Sequence, residues 1–103
     1  MKLPKKFKIM EQDWTVCRGD METADGLCQP EHRRIVLNHK LRGAALAEVL
    51  LHELFHAIIY TSGYHIELAD DEEEKLVSRL SPLLYAAIAR NRLDFADGFD
   101  DGL

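Results

Sequence analysis

The stretch from Ala44 to about Thr61 is apolar almost all round a helical wheel, with Ala44, Ala45, Leu46, Ala47, Val49, Leu50, Leu51 and Leu54 in succession. That pattern predicts a buried central helix rather than a surface one. Embedded in it are His52, Glu53, Leu54, Phe55 and His56, an H-E-x-x-H set. On a helix, positions i and i+4 stack on one face, so His52 and His56 can offer two imidazole nitrogens to one metal ion. Glu53 sits one residue further round, where its carboxylate can reach a metal-bound water without being a ligand. This combination points to zinc-dependent hydrolytic chemistry.

The surrounding chain limits what such a helix can belong to. At 103 residues it forms one domain, near the lower end of what builds its own core. Residues 1–91 are expected to form that domain and residues 92–103, with Asp94, Asp97, Asp100, Asp101 and two glycines, an acidic frayed tail. Net charge is −5, unevenly spread. Residues 1–42 hold nine Lys/Arg against six Asp/Glu, and residues 43–103 hold four against twelve. A domain-wide basic footprint for direct nucleic-acid binding is therefore absent. No uninterrupted apolar run is long enough to predict a membrane span, and basic Met1–Lys8 has no apolar segment of signal-peptide type behind it. Two cysteines, Cys17 and Cys28, are too few for a disulfide scaffold and read as reduced thiols of a cytoplasmic protein, able to face each other across neighbouring strands.

The expected fold is α+β, a small three-stranded sheet packed on the H-E-x-x-H helix and a second, C-terminal helix. Lys5–Met10 and Asp13–Cys17 alternate as strands joined at Glu11-Gln12, with Trp14 and Val16 on a shared face. Arg18–Gly26 reads as a loop. The third strand runs from about His32 to Leu37, with Ile35 and Leu37 facing one way and Arg34 and Val36 the other. Pro30 just before it suits an edge strand. Gly63 is a natural stop for the central helix. The second helix is expected from about Asp71 to Arg90, its acidic start favourable to the helix dipole, with Pro82 kinking or splitting it.

A zinc site needs a third protein ligand. The position six residues after His56 is Ser62, which excludes the three-histidine spacing of metzincins, and His65 reaches only if the turn after Gly63 folds back. On the second helix, the apolar positions Leu76, Val77, Leu80, Leu83, Leu84 and Ala87 define a stripe. Glu73 lies about 60° from Leu76, at the stripe's centre, with Glu72 and Glu74 about 100° to either side. Glu73 is therefore the expected third ligand, because a buried carboxylate must be paired or bound to metal.

H-E-x-x-H with a glutamate from the following helix resembles the gluzincin arrangement. The order of parts, a small sheet, the strand Arg33–Leu37, then L-L-H-E-L-F-H-A-I and a glutamate-bearing helix, is similar to the compact zincins of bacteria and their phages, including the ImmA/IrrE metallo-endopeptidases. The resemblance implies a Zn2+ cofactor held by His52, His56 and Glu73, and peptide or protein substrates. It also implies attack of a zinc-activated water on a peptide bond, with Glu53 as general base. Arg33–Leu37, taken as the exposed edge, could receive an extended substrate by strand addition. Tyr60, Tyr64 and His65 are the candidate oxyanion stabilisers. The competing expectation is a regulatory or protein-binding module that keeps the metal site without cleaving peptides. A homodimer or a regulatory partner could complete the cleft of so short a domain.

Overall fold

In the computed structural model, residues 3–92 are described; the expected acidic tail beyond Arg92 lies outside them. Four strands and two helices follow in the order β1 (Lys6–Ile9), β2 (Gln12–Gly19), β3 (Gly26–Gln29), β4 (Arg34–Asn38), α1 (Gly43–Ser62) and α2 (Asp70–Asn91). The fold is α+β, with one mixed sheet in the spatial order β1-β2-β4-β3. β1 and β2 form an antiparallel hairpin turned at Met10, whose φ of 55° is left-handed. β2 then runs parallel to β4, and β3 closes the far side antiparallel to β4.

Three sequence expectations are corrected here. The sheet has four strands, because Gly26–Gln29 pairs with β4 in the register Gly26↔Leu37, Leu27↔Val36, Cys28↔Ile35. The third expected strand is consequently not an edge: β4 lies between β2 and β3, and β3 is the edge. Pro30 opens a 3-10 turn, Pro30–His32, that reverses the chain between them. The interior place of β4 also separates the cysteines. Cys17 pairs with Val36, and Cys28 with Ile35, so they lie on non-adjacent strands and opposite faces rather than facing each other.

The alternation in β2 and β4 sets which sheet face is covered. Trp14, Val16, Ile35 and Leu37 point to one side and are buried, with Phe7 stacked on Trp14 across the hairpin. α1 lies on that face, placing Leu46, Val49, Leu50 and Ala57 against them. Its opposite face stays open, so α1 is a half-covered helix and not the fully enclosed one its composition suggested. By length and composition alone α1 could cross a membrane, but its seat on Trp14, Ile35 and Leu37 is that of a core helix. Gly63 ends it at φ 84°, as expected. α2 packs on α1 through Val77 and Ser81. It runs through Pro82 unbroken. Glu72 accepts a hydrogen bond from the Ala69 N–H at its start (3.1 Å).

A polar latch fixes the segment that leads into β3. The buried Asn38 side chain donates to the carbonyls of Met21 (2.9 Å) and Ala24 (3.1 Å) and accepts from the Lys40 N–H (3.1 Å). Its own N–H donates to the Asp25 carbonyl at 2.8 Å. Arg18 braces the same corner by donating to the carbonyls of Asn38 and Leu41. Asn38→Ala strands those loop carbonyls and is expected to lower stability by about 2 kcal/mol. Urea unfolding checks this; an unchanged midpoint would show that the latch is dispensable.

Candidate metal centre

α1 must turn one face to the sheet, and the 3.6-residue period leaves His52, Glu53 and His56 along its border with β3 and α2. There they line a cavity of about 640 Å³, walled by Asp25–Cys28 and Pro30 from the β3 side and by Asp70, Glu73, Glu74, Ser81 and Pro82 from α2. The two imidazoles meet edge to face, with centroids 5.1 Å apart.

Three donor groups, His52, His56 and Glu74, converge so that one ligand atom from each lies within 4.8 Å of the others. His52 Nε2 is 3.2 Å from Glu74 Oε1, and His56 Nε2 is 3.0 Å from Glu74 Oε2. A lone pair on nitrogen and one on a carboxylate oxygen repel at such distances unless something positive lies between them, a proton or a metal ion. Bonds of the length zinc makes to nitrogen and oxygen would set tetrahedral donors about 3.3 Å apart. The donor types and their spacing therefore fit Zn2+.

Glu73, the expected third ligand, takes a different place. It does turn inward, its side chain 19% exposed against 57% for Glu74. Inward, however, it meets the other nitrogen of His56: Nδ1–H donates to Glu73 Oε2 at 2.6 Å. A carboxylate on Nδ1 fixes the ring and leaves Nε2 free to face the cavity. Glu74, one residue on, stands at the cavity rim where a ligand can meet both Nε2 atoms.

Glu53 is the buried member of the motif, 7% exposed. Burial pushes its carboxyl up to about 7, with His56 drawing it down and Glu74 adding to the rise. Partial burial would also raise Glu74, but His56, the Ser78 hydroxyl and His52 outweigh it and hold that carboxyl below its usual value. Among the described residues the lining carries six carboxyl groups, those of Asp25, Glu48, Glu53, Asp70, Glu73 and Glu74, and neither lysine nor arginine. Converging negative charge of this kind favours a cation over an anion in the cavity.

Sequence reasoning missed Gly26. A Cβ there would lie 2.7 Å from Val49 Cγ1 and 3.0 Å from both Cγ and Oε2 of Glu53. Glycine there lets β3 approach α1 without displacing Val49 or the Glu53 side chain. A glycine opening a short Leu-Cys segment was the available signal. The candidate oxyanion donors divide. A 3-10 turn, Tyr64–Ile66, folds the chain back, stacking His65 on Tyr60 with centroids 4.4 Å apart, and both line the cavity. His65 does not join the donor cluster. Tyr64 lines a separate surface hollow with Ser62, Gly63, Ile66 and Glu67, away from the histidines.

No protein-family model matches the chain, and no curated protein matches it in sequence.

Cys28 offers a chemical probe of this charge field. Burial, then Glu53, Glu73 and Glu31, push its thiol up to about 12, whereas Cys17 lies exposed on the other sheet face. In metal-free protein at mildly alkaline pH, iodoacetamide is expected to label Cys17 and spare Cys28. Equal labelling rates by mass spectrometry would contradict the placement of Cys28.

Proposed function

We propose that the cavity is the active site of a zinc-dependent metalloendopeptidase of zincin type, acting on peptide or protein substrates. The observation that supports this most directly is the meeting of His52 Nε2, His56 Nε2 and the Glu74 carboxylate beside a buried Glu53. Those three side chains would hold the metal, with Glu73 orienting His56. Zinc there would polarise the scissile carbonyl and lower the pKa of a water nucleophile toward neutrality. Glu53, with its carboxyl near neutrality, accepts the proton of the attacking water and delivers it to the leaving amine nitrogen.

The remaining tasks fall to the cavity walls. β3 borders the cavity and, among the described residues, has β4 as its only strand neighbour, so its outer edge can pair with an extended substrate backbone. This replaces the expectation that Arg33–Leu37 does so, since β4 is enclosed on both sides. Tyr60 and His65 stand on the cavity wall as oxyanion donors. The six lining carboxylates favour substrates bearing lysine or arginine near the scissile bond.

Metal content and cleavage test the reading separately. Wild-type protein should bind one zinc per chain, and His52→Ala, His56→Ala or Glu74→Ala should lose it. Glu73→Gln should keep the stoichiometry with affinity reduced about 10- to 100-fold, and His65→Ala should keep it unchanged. Retained zinc in Glu74→Ala alongside loss in Glu73→Ala would reverse the two glutamates. An unfolded lysine-rich protein should be cut by wild type, and at a rate lower by at least about 100-fold by Glu53→Gln with zinc still bound. Zinc binding without cleavage would favour the regulatory or protein-binding module.

Gly26 supplies a further check on geometry. Gly26→Ala displaces the Glu53 carboxylate while leaving the three ligands in place. Cleavage is expected to fall on the order of 10- to 100-fold at unchanged zinc stoichiometry. Full activity in that variant would mean that Glu53 does not need its seat against β3.

A further inference from the structure

α2 carries two apolar faces, and α1 uses one of them. Val77 and Ser81 are buried against α1. Leu76, Leu80, Leu83, Leu84 and Ala87 centre about 100° further round and are exposed, Leu83 at 69%. Positions 76, 80, 83 and 87 follow the alternating four-three-four spacing of a coiled-coil seam, the pattern that seats against another helix. Of the cavity-lining residues of α2, Asp70, Glu74, Ser81 and Pro82 lie more than about 100° from the seam's centre and Glu73 about 50° from it, so a partner helix on the seam borders the cavity at Glu73 without covering Glu74.

Charge selects the partner. The first turn of α2 is acidic, Asp70–Glu73 followed by Glu74, and its end is basic, with Arg90 and then Arg92 at the cap. Flanking the seam on the same side are Glu72 near one end and Arg90 near the other, both about 60° from its centre. In an antiparallel pair centred between Ser81 and Pro82, Leu76 meets Ala87 of the second copy and Leu80 meets Leu83. The same centring sets Glu72 beside Arg90, twice over by the two-fold axis. A parallel pair would instead stack two acidic turns. Apolar register and charge register thus agree on one arrangement.

We infer that α2 is a homodimer interface, two copies pairing antiparallel along Leu76, Leu80, Leu83 and Ala87, with Glu72 and Arg90 reciprocally joined. This does not depend on the cavity holding zinc. Sedimentation equilibrium of the full chain over a concentration series should show a monomer–dimer equilibrium. Leu83→Glu should weaken it by roughly thirtyfold or more, with thermal unfolding confirming that so exposed a position leaves the fold intact. Glu72→Arg and Arg90→Glu should each weaken self-association about threefold to tenfold. An equimolar mixture of those two variants should dimerise as tightly as wild type, because the mixed pair restores both contacts. A chain that stays monomeric at every concentration overturns the inference, including the case in which its own residues 93–103 cover the seam. So does a dimer indifferent to Leu83→Glu, or charge variants that fail to recover on mixing.

Discussion

The packing of α1 on Trp14, Ile35 and Leu37 is the contact on which the other parts depend. It fixes the rotation of the helix about its own axis, because Leu46, Val49, Leu50 and Ala57 must all meet the sheet. Once that is set, the helical period allows His52 and His56 only one direction, along the seam between β3 and α2. Had the helix rolled by a single residue, about 100°, one of these histidines would face the sheet or open solvent. The apolar composition of α1, which reads as simple core-forming material, is thus also what aims the polar residues.

From the other side, the site is fixed by backbone rather than by side-chain bulk. Asn38 and Arg18 tie the segment 20–25 to the end of β4 and the start of the helical connection. That tie delivers Gly26 to α1 so closely that an added Cβ would displace side-chain atoms of Val49 or Glu53. Glu53 gains its seclusion from this approach, and its raised carboxyl follows from the seclusion. A stability device in a loop therefore sets the electrostatics of a helix residue on a different element.

The parts with a strong period were legible in the sequence. The β1–β2 hairpin, both helices, the stop at Gly63 and the inward turn of Glu73 all follow from spacing within one element. What escaped depends on relations between elements. β3 has four residues with Leu27 as its one large apolar side chain, and it is a strand because β4 offers it a partner. The alternation of Ile35 and Leu37 is the same whether β4 is edge or interior, so the pattern could not tell which. The glutamates show this most clearly. The helical angle correctly turns Glu73 toward the interior, where it meets His56 Nδ1, yet Glu74 is the carboxylate beside both Nε2 atoms, because the rotation of α2 against α1 is written in neither helix alone.

The donor set is divided between two helices, His52 and His56 on α1 and Glu74 on α2, and the buried side chains joining α2 to the rest are few, Val77 and Ser81. An ion shared by these three groups would act as a staple across the helix pair, so its affinity would contain part of the free energy of docking α2. Chelation would then be a mechanical event as well as a chemical one, leaving the packing of Val77 and Ser81 to hold α2 on α1. Metal supply and the geometry of any surface built on α2 would in this way be one coupled equilibrium.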